Sequence, residues 1–209
     1  MNRNLARAAR LLLIGTVAGV LSACAAALVG GAVVGGTIVA TDRRSSGAQV
    51  EDEVIEGKAR GRLGEALRDR GQVSVTSYNR ILLLTGVVKD AADKALAEQT
   101  VSRIENVQSV VNELSIGLPS SITSRSNDTL LTTKVKASFI DAKDLFSNSL
   151  KVVTSESVVY LMGRVTEREA NRAAEVARGV AGVQKVVKVF EIVSEAELAG
   201  SLQKPVSKP

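Results

Sequence analysis

The chain has no histidine and no tryptophan, and only one cysteine, two tyrosines, three phenylalanines and three prolines in 209 residues. Without histidine it lacks the commonest general base, proton shuttle and metal ligand at neutral pH. Serines are plentiful, but none has an imidazole to activate it, so no nucleophile–base pair of the usual kind is available. One thiol excludes an intramolecular disulfide, and stability must come from packing. Scarce aromatics leave few platforms on which bases could stack. Net charge is also less basic than it looks. The first 23 residues carry Arg3, Arg7 and Arg10 and no acid, so the 27 basic residues fall to 24 against 22 acidic ones. That balance is no concentrated basic field, and no nucleic-acid partner is expected. The expectations are therefore no enzyme, no catalytic residue and no metal site.

Two local patterns resemble chemistry and do not carry it. Glu51-Asp52-Glu53 is the only acidic cluster, and it reads as the start of a helix, where the dipole accounts for negative charge. Gly57–Gly64 (GKARGRLG) superficially suggests a phosphate loop. It follows no strand, however, and has neither Walker nor dinucleotide spacing.

What the sequence does hold begins at its N-terminus. Three arginines precede the apolar run Leu11–Val20, which ends in Leu21-Ser22-Ala23-Cys24. A basic region, an apolar region and small residues make a secretory signal, and the cysteine that follows makes it a lipobox. The expectation is cleavage before Cys24, with a diacylglyceryl group on the thiol and an acyl group on the new amine. No other cofactor is expected. Two lipid signals suffice for stable anchoring. The rival is an uncleaved anchor from Leu11 to about Ala40. Gly30, Gly31, Gly35 and Gly36 suit a flexible apolar tether better than a stable helix. Residue 25 is alanine rather than the aspartate that commonly retains such proteins at the inner membrane. Outer-membrane attachment facing the periplasm is expected.

An internal repeat organises the rest. Gln72–Val88 (QVSVTSYNRILLLTGVV) and Ser149–Val165 (SLKVVTSESVVYLMGRV) align without a gap at a spacing of 77. Each alternates, is rich in β-branched residues and is broken by a polar pair, Asn79-Arg80 or Glu156-Ser157, so each predicts a hairpin. A charged, alanine-rich helix follows each hairpin, and Thr166 with Glu169 fits a capping box at the second. Val107–Val111 and Val183–Val187 then lead into a last strand at a spacing of 76. Before each hairpin, Ile55, Ala59, Leu63 and Leu131, Val135, Phe139 give one buried helical stripe apiece. The expected fold is α+β: two tandem α-β-β-α-β domains, each a small three-stranded mixed sheet with two helices on one face. The expected boundaries are signal 1–23, lipidated tether 24–49, first domain 50–116, linker 117–126, second domain 127–193 and polar tail 194–209.

Three features go beyond the fold. Gly86 and Gly163 occupy equivalent strand positions, where glycine permits a bulge or a close backbone approach, and they are expected to be structural. Gly57, Gly61 and Gly64 share one face of the first helix. Either that helix is weak, or another backbone approaches it closely. The first helix of the second repeat is apolar on two faces. Leu131, Val135, Ser138 and Phe139 form its core stripe. Leu130, Thr133, Ala137 and Ile140 fall on the far side, with Lys134 and Lys136 flanking them. A membrane-surface helix needs that composition, with apolar groups for the acyl boundary and cations for anionic headgroups. The alternative is that Leu130 and Ile140 pack on the first repeat.

The paired units with a glycine in each hairpin resemble the BON domain family. The residues that carry the resemblance are the lipobox, ATDRRSSGAQVED (Ala40–Asp52), SNDTLLTTKV (Ser126–Val135) and YLMGRVTEREA (Tyr160–Ala170). The resemblance implies a periplasm-facing, non-enzymatic protein that binds anionic phospholipid (phosphatidylglycerol or cardiolipin) and supports outer-membrane integrity. It also implies association with the outer-membrane β-barrel assembly machinery and with division sites, the same helix serving as a docking surface in the alternative scaffold role. It places the lipid contacts on this helix, where the wheel selects Leu130, Thr133, Lys134, Lys136, Ala137 and Ile140. Where family members carry tryptophan this chain has Leu130, which keeps the apolar wedge but loses an indole suited to headgroup depth.

Overall fold

The computed structural model describes residues 42–119 and 121–202. Cys24, the leader and the tether as far as residue 41 lie outside that range. Ser45 caps the first helix, α1 (Ser46–Leu67), by accepting from the Ala48 N–H. Ile55, Ala59 and Leu63 recur every four residues on its inner face and are buried. The antiparallel hairpin β1 (Gly71–Tyr78) and β2 (Ile81–Val88) follows, with Tyr78 opposite Ile81 and only Asn79-Arg80 in the turn. Helix α2 (Ala91–Ser102) carries the chain back, and β3 (Ser109–Asn112) and β4 (Ser115–Ile116) both run parallel to β2.

The second copy repeats this order. Ser121 caps α3 (Ile122–Asp141), a short 3-10 turn leads into β5 (Leu150–Ser155), and β6 (Val158–Val165) completes the hairpin. Then come α4 (Glu167–Arg178), opened by the Thr166/Glu169 capping box, and β7 (Lys185–Ile192), parallel to β6. Both sheets are mixed, as expected.

The sheets pack on each other. In β2, Leu82, Leu84 and Val88 join the core under α1 and α2, while Leu83 points the other way. There it meets Tyr78 together with Tyr160, Met162 and Val189 of the second repeat. The central strands β2 and β6 are thus buried on both faces, which is why they read as nearly continuous apolar runs. The helices lie on the outside of the two-sheet stack.

Between the hairpin and the helix that follows it, the repeats differ by one residue, and the structure locates it. The strand ends Val88 and Val165 are 77 apart, but the helix caps Asp90 and Thr166 are 76 apart, so the extra residue is Lys89. The last strand of the first repeat is also interrupted at Glu113-Leu114, where β7 is continuous. Its register does not slip, because Ser109 pairs Ile81 and Ser115 pairs Val87, both 28 residues on. The break stands beside Gly86, whose φ of 109° departs from strand geometry.

Helices extend across three of the expected boundaries. Helix α1 starts from its cap Ser45 inside the expected tether, and α3 from Ser121 inside the expected linker. Two of the serines that made 117–126 look like linker serve α3 instead, Ser121 accepting from the Ser124 N–H and Ser126 donating to the Ile122 carbonyl. The expected polar tail begins with a helix, α5 (Glu195–Leu202), in which Leu198 is buried. Arg164 pairs with Glu197 and fixes α5 to the second repeat.

The glycine stripe of α1 is also resolved. A Cβ at Gly57, Gly61 or Gly64 would meet nothing within 4 Å. Among the described residues no backbone approaches that face, and there the glycines only weaken the helix. Replacing all three by alanine is expected to add about 0.4–1 kcal/mol each through the unfolded chain. The melting temperature should then rise by several degrees. A fall in a thermal melt would mean that the face is covered.

Candidate functional site

The face of α3 turned away from its own sheet is the candidate. Leu131, Val135 and Phe139 point inward and are buried. Leu130, Thr133, Lys134, Lys136, Ala137 and Ile140 are all exposed. Leu130 retains 61% of its surface and Ile140 70%, so neither is packed against the first repeat. Lys134 and Lys136 make no ion pair among the described residues. The structure adds Ile122, 75% exposed. It precedes Ile140 by 18 residues, which is five helical turns, so the two lie in line about 27 Å apart. The sequence pattern would have included Ile122 had its stretch not read as linker. Within α3, Asp141 at the helix end is the one exposed acid.

The body that presents this face is fixed by polar groups that sequence reasoning missed. Asp52 is buried. Its carboxylate accepts from the Ser77 hydroxyl (2.6 Å), the Asn79 and Arg80 N–H groups (2.7 and 2.8 Å) and the Arg44 guanidinium (2.8 Å). Asp128, 76 residues on, accepts from the Glu156 and Ser157 N–H groups, both at 2.9 Å. Each first helix thus clasps the turn of its hairpin. Those turn residues need the help, because Asn79, Arg80, Glu156 and Ser157 all have φ between 47° and 67°. Asp52 therefore lies well inside α1 and serves the turn. The helix-dipole account of Glu51-Asp52-Glu53 is corrected, since the dipole fades beyond the first turn.

Asp42-Arg43-Arg44, expected to be tether, ties both repeats together. Arg44 reaches Asp52 and stacks over the Tyr78 ring at 4.3 Å. Arg43 makes a two-pronged pair with Glu169, at 2.7 and 2.8 Å, and donates to the Arg164 carbonyl. Burial pushes the Asp52 carboxyl up, but the bonds from Ser77, Arg80, Arg44 and Asn79 outweigh it and hold the group below its ordinary value. The Arg43 bond lowers Glu169 against the opposing effect of burial. Elsewhere along the seam, Lys151 bonds Glu56 and the Ser77 carbonyl, and Asn79 bonds Glu191.

Gly86 and Gly163 sit opposite Val73 and Leu150 in their hairpins. A Cβ at Gly86 would lie 2.0 Å from the Gln72 carbonyl oxygen, and one at Gly163 2.6 Å from that of Ser149. Both positions serve close backbone approach.

Two α-β-β-α-β copies, stacked sheet to sheet with one helix left apolar on its outer side, define a tandem α+β module that presents a surface. The BON domain profile matches residues 51–117 and 127–194, and the chain belongs to the BON domain family. It is 37% identical over 174 residues to the outer membrane lipoprotein DolP of Haemophilus influenzae, covering 82% of this chain and 89% of that protein. It is 32% identical over 154 residues to a 21 kDa hemolysin of Actinobacillus pleuropneumoniae, covering 73% and 79%. It is 27% identical over 141 residues to the osmotically-inducible protein Y of Escherichia coli, covering 66% and 70%.

Proposed function

We propose that this protein is an outer-membrane lipoprotein, anchored through Cys24 and facing the periplasm, that binds anionic phospholipid with the outer face of α3 and supports membrane integrity. Similarity to a relative named as an outer membrane lipoprotein supports the location. One observation carries the lipid reading: Ile122, Leu130 and Ile140 stay exposed along a single helix that also bears unpaired Lys134 and Lys136. Apolar side chains enter the acyl boundary, and each lysine near an anionic surface contributes about 1 kcal/mol. That is weak alone, but the lipid anchor holds the helix beside the bilayer at high effective concentration. Its task is then to select where on the membrane the protein sits.

The test is flotation of the soluble, unlipidated unit, residues 42–209, with vesicles. Binding is expected to phosphatidylglycerol-containing vesicles and not to phosphatidylcholine alone, lost in Leu130→Asp/Ile140→Asp and weakened at high salt. Equal recovery of parent and double variant with anionic vesicles would overturn the reading and leave docking on an envelope protein complex.

A further inference from the structure

A second site lies beside α3. An open cleft of about 470 Å³ runs between β1 and β2 of the first repeat and α3 and β5 of the second. That volume is in the range of small-molecule sites, about 300–1,000 Å³. Its wall is dense in hydroxyls: Ser74, Thr85, Thr129, Thr132, Thr154 and Ser155. Thr132 and Thr154 bond each other across it at 2.7 Å. Two ionisable side chains line it, Arg125 and Asp128. Asp128 is spent, since one oxygen accepts from Glu156 and the other from Ser157. The Arg125 guanidinium makes no hydrogen bond or ion pair among the described residues.

This chemistry selects its ligand. A free guanidinium offers a planar fork matched to phosphate or carboxylate oxygens. Hydroxyls both donate and accept, so they suit another polyhydroxylic group. An ammonium ligand would find no uncommitted carboxylate, and a nucleobase would find no aromatic wall on which to stack. We infer that the cleft binds a phosphate-bearing polyol of glycerophosphate type, the phosphate at Arg125 and the hydroxyls along the serine and threonine wall. Free ester and lipid headgroup share this chemistry. The headgroup case rests on the lipid reading of α3; binding of the free ester does not.

The experiment follows amide NMR shifts of the compact unit, residues 42–209. With sn-glycerol 3-phosphate, saturable shifts are expected at Ser74, Gly86, Thr132 and Thr154, complete within roughly 10 mM, a concentration typical of affinities near −4 kcal/mol. Arg125→Gln should raise the half-saturation point at least tenfold, and Ser74→Ala/Ser155→Ala severalfold. Both changes lie on the cleft rim and leave the core intact. Inorganic phosphate should bind at least tenfold more weakly. Equal binding of inorganic phosphate, unsaturable shifts, or an unaffected Arg125→Gln would each overturn the proposal. Phosphatidylglycerol vesicles that shift the same cleft amides identify the headgroup as the source. Vesicle shifts confined to residues 122–141, with Ser74, Gly86 and Thr154 unmoved, identify the free ester. Leu130→Asp/Ile140→Asp should abolish vesicle binding while leaving the ester titration unchanged, so the two proposals fail separately.

Discussion

Gly86→Ala is expected to cost this protein several kilocalories per mole and to lower its melting temperature by more than about 10 °C. Two penalties add. The backbone at Gly86 has φ 109°, and holding a side chain there costs about 1–3 kcal/mol. The new Cβ would also lie 2.0 Å from the Gln72 carbonyl oxygen, which belongs to the paired strand and cannot swing away. Relieving such overlap by moving backbone costs roughly 1–3 kcal/mol more. For a domain of this size each kilocalorie is worth about 2–4 °C. Gly163→Ala is the internal control. Its Cβ would stand 2.6 Å from the Ser149 oxygen, without the left-handed backbone, so its loss should be the smaller. A thermal melt of Gly86→Ala within about 3 °C of the parent, or a larger drop at Gly163, would contradict this account. Loss of function at either glycine in cells then follows from misfolding and not from a missing contact.

Removing the Asp52 carboxylate should be nearly as damaging. Asp52→Ala strands the Ser77 hydroxyl and two turn N–H groups at once and leaves the Arg44 guanidinium with Asp42 as its remaining carboxylate partner. Deleting one partner of a buried ion pair typically costs about 3–5 kcal/mol. Asp128→Ala should cost less, because Asp128 holds only two N–H groups and no cation. Urea denaturation of both variants tests the order. Asp52 and Glu169 contribute to the acid limit. Folding lowers Asp52 below its ordinary 3.8 and Glu169 below its ordinary 4.5. The folded chain therefore binds fewer protons than the unfolded one in this range, and stability rises with pH there. Their contribution is complete above the ordinary values and drains away as pH falls through the depressed ones. The parent's urea midpoint should be flat near neutrality and fall below about pH 4.5. Asp52→Ala should start lower and fall less steeply. An unchanged slope would remove Asp52 from the acid response.

Much of this was legible in residues. The 77-residue repeat, the alternation of each hairpin and the Thr-x-x-Glu cap are local patterns, and local patterns survive in sequence because they answer to fixed periods of two and 3.6. The outer face of α3 was legible for the same reason. Leu130 and Ile140 fall opposite Leu131, Val135 and Phe139 on any helical wheel, and they stand exposed. Composition misled where helices are rich in serine, glycine or acid. The start of α3 read as linker, and α5 read as tail, because their stabilising bonds come from caps and from arginines distant in the chain.

The sequence by itself determined the lipobox at Cys24, the two α-β-β-α-β units and the unburied face of α3, since each is written in neighbours or in a simple period. Only the tertiary structure decided what Asp52, Asp128, Arg43 and Arg44 do, and that a hydroxyl-lined cleft opens between the repeats. Those roles depend on partners up to 126 residues away, as for Arg43 and Glu169, and on sheets that stack face to face. Such contacts arise from burial across the whole fold and leave no period in the chain.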